Sequence, residues 1–225
     1  MTEDFNKNDT FYITTTLPYA NSVPHVGHAI EFFQADAYAR YFRKKLGKQK
    51  VFFNVGVDEH GLKVLTTAKE LGTTPEKFLD ELIPKWKDFC SKFNISYDFF
   101  YRTSAPDHHQ GAQRIWSICN SKGDIYKKHY QGYYCVGCEA FLLERDLVDG
   151  KCPDHGKAPV QYSEENYFFR LSKYADTITD YVNENPDFLK PASKKQELLN
   201  FLKGMEDISI SRNRTNLPWG IEVPD

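Results

Sequence analysis

The run VFFNVGV, residues 51–57, restricts the fold more than any other stretch of the chain. It is continuous and apolar, it follows Lys50, and it stops at Asp58-Glu59-His60-Gly61. Such a run suits a strand buried in a parallel sheet. Its neighbours fit that setting. FYITTTL, residues 11–17, is rich in β-branched and aromatic types and predicts a first strand. From Val26 to about Leu46 the pattern is helical, with Ile30, Phe33, Ala37 and Tyr41 spaced three and four apart, and Gly47 ends it. Residues 59–71 also look helical. Thr74 as cap and Pro75 in the first turn start another helix, running to about Phe93. YDFFYRTS, 97–104, predicts a third strand, and Asp107 to Lys122 a further helix. Strands alternating with helices imply an α/β fold with a Rossmann-like parallel sheet.

The alternation breaks near Asp124. Residues 125–165 are aromatic, contain Gly and Cys, and show no helical period, so they read as an inserted small module. NYFFRL, 166–171, reads as a returning strand, followed by helices around 172–184 and 193–204. The tail DISISRNRTNLPWGIEVPD reads as loop and strand. Three regions are therefore expected, 1–124, 125–165 and 166–225.

A net charge of −2 provides no overall basic field for nucleic acid. The basic run from Arg40 to Lys50 reads as the solvated C-terminal end of a helix, where cations suit the dipole. No stretch approaches the roughly 18 apolar residues of a membrane span. The N-terminal MTEDFNKND has no apolar signal core, so a cytoplasmic chain without a membrane partner is expected. The five cysteines then read as thiols or metal ligands rather than a disulfide framework.

PHVGH, residues 24–28, stands where the first strand hands over to a helix. Ligands of a doubly wound sheet bind beyond the C-terminal ends of its strands, at the following helix starts. A spacing of three puts His25 and His28 on one face of the first turn, where unpaired amides favour phosphate. Gly27 removes a side chain where a base or ribose could pack close. The pattern suits a nucleotide held by imidazole donors. It equally suits two surface histidines at a helix start with an incidental glycine. Asp58 and His60, at the end of the second strand, would face the same crevice. There a carboxylate can hold an ammonium group, or simply cap a helix.

Cys135, Cys138, Cys152 and His155 are spaced C-x2-C, thirteen residues, then C-x2-H. A Cys3His set gives a closed tetrahedral zinc site, structural because it leaves no open position. Gly137 and Pro153 suit the knuckle turns. Cys90 and Cys119 fall in helical patterns as small apolar residues. His108, His109 and His129 have no partners at ligand spacing and read as surface residues.

HVGH resembles the HIGH signature of class I aminoacyl-tRNA synthetases and related nucleotidylyl transferases. The longer string TTTLPYANSVPHVGH, with NVGVDEHG after it, resembles the methionyl-tRNA synthetases over nearly all of residues 10–225. Leucyl, isoleucyl and valyl enzymes share the histidine motif but typically carry a large editing insertion, for which there is no room before DISISR. The resemblance implies the first half of the class I nucleotide fold with a zinc-knuckle connective module. It implies methionine activation by ATP with Mg2+ and transfer to tRNA(Met). ATP would meet Pro18, His25, Gly27, His28 and Arg212, the arginine of the DISR segment. Methionine would meet Leu17, Tyr19, Asp58 and His60, although Tyr19 also suits a core position. Zn2+ would sit on Cys135, Cys138, Cys152 and His155. The family continues past this point with a YVWFDA-type segment, a KMSKS loop and an anticodon-binding bundle, so incomplete activity is expected of residues 1–225 alone. Two other readings stay open. One is a smaller nucleotidylyl transferase using the same H-x-G-H device. The other is a non-catalytic zinc module, derived from a synthetase, that binds RNA or protein.

Overall fold

The structure, a computed structural model, describes residues 9–138, 140–142 and 144–224, and the first eight residues of the polar N-terminal segment lie outside it. It divides into two compact units, one running to Gly111 and taking in Trp219–Ile221, the other formed by Ala112–Pro218 with the residues from Glu222 on.

The first unit is the expected α/β layer. Strands β1 (Phe11–Thr14), β2 (Val51–Val57) and β3 (Phe99–Arg102) form a parallel sheet in the order β1-β2-β3. Helices α1 (Val26–Leu46), α2 (Leu62–Glu70) and α3 (Pro75–Lys92) alternate with them. Thr74 caps α3, its hydroxyl accepting from the Lys77 N–H, with Pro75 in the first turn. Val51, Phe53, Val55 and Val57 all point to one face of the sheet and share one core with Phe32 of α1 and Leu79, Ile83 and Trp86 of α3. Burying one such aromatic or aliphatic side chain contributes about 1.5–3 kcal/mol. The other face carries Tyr12, Phe52 and Phe99, all exposed. The central strand is thus exposed on its second face at Phe52, near its start, and buried on both faces at Val55, Gly56 and Val57 near its end.

The length of α1 is as the sequence predicts, but its buried face is not. Ile30, Phe33 and Tyr41 are exposed, and Ala29, Phe32, Ala35, Asp36 and Ala39 face inward. Both stripes satisfy helical spacing. The inward one is small, so the helix axis can approach the sheet closely. The basic end of α1 also departs from the solvated reading. Arg43 donates to Ser96 Oγ (2.7 Å) and Asp98 Oδ2 (2.6 Å), and Arg40 to Asp36 Oδ2 (2.6 Å) and the Asn94 carbonyl (2.6 Å). These arginines fasten α1 to the segment leading into β3.

Helix α4 (Pro106–Ser121) runs from residues of the first unit into the second. The second unit is built on an antiparallel sheet. Strand β4 (Ile125–Cys135) pairs with β6 (Val160–Phe169), from Ile125↔Phe169 to Tyr134↔Val160. Strand β5 (Ala140–Leu142) pairs with the end of β4, and β7 (Ile208–Ser209) with the end of β6, giving the order β5-β4-β6-β7. The residues read as a strand over 166–171 close β6 and stay within this sheet rather than rejoining the parallel one. Helices α5 (Ala175–Glu184) and α6 (Lys194–Lys203) lie between β6 and β7 in the chain. Among the described residues no helix is long and apolar enough to cross a membrane.

Candidate functional site

His25 is the N-cap of α1. Its Nδ1 accepts the Gly27 N–H at 3.1 Å, and His28 Nδ1 accepts the His25 N–H at 3.1 Å. Each imidazole therefore plays the part usually taken by Ser and Glu in a capping box. A nitrogen that accepts carries no proton, so each neutral ring holds its proton on Nε2. The two rings stand 3.9 Å apart, and His28 lies 4.9 Å from the ring of Trp86, which is fully buried. Burial first, and then the neighbouring His25, lower the His28 pKa, which favours the neutral form. Gly27 has a local reason. A Cβ there would come within 2.8 Å of His25 Cε1, so only glycine lets the cap ring fold back. Trp86, missed in the sequence reading, also donates from Nε1 to the Ser22 carbonyl (3.1 Å) and so braces the loop before the cap.

The LPY and DEH segments are brought side by side. The Asp58 N–H donates to the Pro18 carbonyl (2.9 Å) and the Ala20 N–H to the Asp58 carbonyl (2.8 Å), so parallel pairing resumes at Tyr19 and Asp58, beyond the ends of β1 and β2. Leu17 and Pro18 are half-buried, and the exposed Tyr19 ring lies 4.9 Å from Lys63 Nζ. Asp58 is half-buried, and burial pushes its pKa up despite hydrogen bonds from the His60 N–H (3.2 Å) and the Thr103 hydroxyl (3.3 Å). His60 is held near pKa 4, first by burial and then by His109 and His108, so its ring is neutral at physiological pH. It lies 5.3 Å from the His109 ring and 5.4 Å from Trp219. His108 and His109 are therefore half-buried neighbours of this site rather than surface residues. His129 is exposed as expected.

Two residues of this end of the sheet escaped the sequence reading. Glu59, between the two flagged residues, is fully buried. Its carboxylate accepts from Arg102 Nε at 2.8 Å and from the Ser104 N–H and hydroxyl, and Arg102 also reaches Asp80 at 3.1 Å. Thr103 is buried; its hydroxyl accepts the Glu59 N–H (2.8 Å) and donates to Asp58 Oδ1 (3.3 Å). The rule that ligands meet the C-terminal ends of strands pointed equally to the RTS that closes β3.

In the second unit Cys135, Cys138, Cys152 and His155 converge, with ligand atoms all within 4.8 Å of one another. Cys138 Sγ is 3.5 Å from Cys152 Sγ, and His155 Nδ1 is 3.3, 3.7 and 3.8 Å from the sulfurs of Cys138, Cys152 and Cys135. The edges of a tetrahedral zinc site, from its bond lengths, are roughly 3.6–3.8 Å. Burial, and then Cys152 and Cys135 beside it, push the Cys138 thiol up to about 12. Burial alone would raise Cys135 too, but bonds from the Cys138 N–H and neighbouring thiols pull it down. Three sulfurs so placed cannot all ionise without a cation among them. Gly137 leaves the room His155 needs, because a Cβ would stand 2.4 Å from its ring. Cys90 is buried in the other unit, its thiol pushed up to about 11 by that burial.

Arg212 belongs to the second unit. It follows β7, donates to the Ser211 carbonyl (2.7 Å) and Ser209 Oγ (3.1 Å), and lies over the rings of Tyr134 and Phe141. Arg214 is exposed and paired with Glu222 at 3.1 Å.

The family described as tRNA synthetases class I (M) matches residues 11–159 and 154–225. A methionine–tRNA ligase of Caldanaerobacter subterraneus is 44% identical over 216 residues, covering 96% of this chain and 33% of that protein. One from a Nostoc species is 43% identical over 219 residues, covering 96% of this chain and 41% of its own. The chain thus spans about a third to two fifths of these relatives. The crystal structure of Mycobacterium tuberculosis methionyl-tRNA synthetase bound by methionyl-adenylate superposes with a TM-score of 0.90 at 37% identity, covering 96% of this chain and 43% of that one. Its apo form gives 0.77 at 34% identity, covering 96% and 41%. The parallel sheet, the paired histidines and the Cys3His cluster all lie within the matched residues, and the chain belongs to the class I tRNA synthetases of the methionine type.

Proposed function

We propose that these residues form the methionine- and ATP-binding portion of a cytoplasmic methionine–tRNA ligase. The observation that supports this best is the reciprocal histidine cap. It fixes both rings by Nδ1 and leaves both Nε2–H groups as donors at a helix N-terminus, where a phosphate is favoured. In the reaction the methionine carboxylate attacks the α-phosphate of ATP, forming methionyl-adenylate and releasing pyrophosphate. His25 and His28 donate to the phosphate as charge develops, with Pro18 and Gly27 beside the nucleotide and Mg2+ accompanying it. The Asp58 carboxylate holds the substrate ammonium. Thr103 and the His60 N–H orient that carboxylate, and Leu17, Tyr19 and the neutral His60 ring wall the amino-acid side. Arg212 serves the adenylate. The methionyl group then passes to the terminal ribose of tRNA(Met). The chain supplies positioning and electrostatics and needs no covalent intermediate.

Cys135, Cys138, Cys152 and His155 would hold Zn2+, which crosslinks the two knuckles and takes no part in the reaction. The sulfur and nitrogen spacings support that fit.

Methionine-dependent ATP–pyrophosphate exchange by the full-length protein tests the reading. Exchange that requires methionine, and falls when Asp58 is replaced by Ala, supports it. Exchange driven by another carboxylic acid and indifferent to methionine would overturn it.

A further inference from the structure

The Arg212 guanidinium stands 4.8 Å from the centre of the Tyr134 ring and 4.6 Å from that of Phe141. The two rings are 5.2 Å apart and inclined at 70°. A flat group sandwiched between two rings would hold them much farther apart. The cation instead sits in the angle they make, held by both faces. Among the described residues its other hydrogen-bond partners are local, Ser209 Oγ and the Ser211 carbonyl.

The two rings do not come from one rigid element. Tyr134 lies near the end of β4 and Phe141 on the three-residue β5. They face one another because Tyr134 pairs with Phe141 and Cys135 with Ala140 across a ladder of three pairs. β5 is a three-residue strand at the edge of the four-stranded sheet and joins it through this ladder to β4. The segment that joins its strands contains the first knuckle, and Cys135 is both a strand residue and a ligand of the Cys3His cluster. Whatever closes the cluster also holds Phe141 opposite Tyr134.

We infer that Tyr134 and Phe141 are positioning residues for Arg212, and that occupancy of the Cys3His cluster sets where the guanidinium stands. The inference rests on the reading of Arg212 as a residue that serves the adenylate. It gives the metal a second consequence besides folding. Loss of the ion opens the angle between the rings and frees the arginine about its own backbone.

The test uses the Arg212 side-chain resonances, assigned by their loss in Arg212→Lys. In the zinc-loaded protein they should be displaced upfield by the ring currents. The displacement should vanish in Tyr134→Leu and in Phe141→Leu, both still holding one zinc per chain, and persist in Tyr134→Phe. It should vanish when zinc is withdrawn by EDTA and return on reloading. In the full-length protein each Leu variant should lower kcat/KM for methionine-dependent exchange roughly tenfold, the loss expected from a partly desolvated cation–π contact, and Tyr134→Phe should recover it. An Arg212 signal unmoved by chelation, or by both Leu substitutions, overturns the proposal. So does a lost displacement with full exchange activity in the Leu variants when Arg212→Ala itself lowers exchange. If Arg212→Ala leaves exchange intact while the resonances behave as described, the adenylate role of Arg212 fails and the cradle stands.

Discussion

Arg102 donates to the buried carboxylate of Glu59 at 2.8 Å, one residue from Asp58 and at the ends of adjacent parallel strands. The pair fixes the backbone from which Asp58 and His60 project. Glu59→Ala removes the bonds from Arg102 and Ser104, while Arg102 is part-exposed and keeps Asp80. It should cost about 1–3 kcal/mol of unfolding free energy. Urea denaturation checks this, and a loss below about 1 kcal/mol would show that Arg102 and Ser104 find other partners.

His28→Ala removes a proposed phosphate donor and also half of the α1 cap. Exchange activity should fall about 10²–10³-fold, the size of one lost transition-state donor. His28→Asn keeps a side-chain acceptor for the His25 N–H and should recover stability without recovering rate. If His28→Asn restores both, the ring serves the helix alone.

Methionine binding should weaken on acidification earlier than an ordinary aspartate would require. Burial raises the Asp58 pKa, so its carboxylate takes a proton, and would let go of the ammonium proposed to sit on it, at a pH above the usual 3.9 or so. Thr103→Val deletes a bond that favours the ionised form. It should move the acid limb of the methionine affinity profile further upward and raise KM roughly fivefold near neutrality. Binding measured by calorimetry from neutral to acid pH decides the point, and an acid limb unmoved in the variant excludes Thr103.

Gly137→Ala places a methyl where the His155 ring stands. Zinc affinity should fall at least tenfold, within the range seen when a support of a metal ligand is lost. Competition with a chromophoric chelator gives the value. Gly150→Ala, at a position with open space but positive φ, serves as a strain control and should leave zinc affinity nearly unchanged.

Much of the first unit was legible because its strands and helices alternate. The ends of α1 followed from Gly47 and the apolar period, and the Cys3His set followed from spacing alone. The buried face of α1 was not legible, because Ile30-Phe33-Ala37-Tyr41 and Ala29-Phe32-Ala35-Ala39 obey the same spacing, and only tertiary packing selects the one with smaller residues. The exposure of Phe52 in β2 was hidden for a related reason, since Phe52 is as apolar as Phe53. Residues 160–169 were hard to assign because antiparallel partners many residues apart leave no local period. Glu59 was passed over because a buried carboxylate reads like any other acid until its arginine arrives from β3. The arginines at the end of α1 were misread for the same reason, as Asp98 and Ser96 lie more than 50 positions away.

On the proposed reading the histidine cap bears on turnover. Each Nδ1 is occupied by a backbone N–H, so each ring would meet a phosphate through Nε2 alone. Donors held in one orientation favour the geometry in which charge grows and gain less from a product that has moved away from it. The same bonds that start a helix would thus bias the site toward turnover over retention of the leaving group.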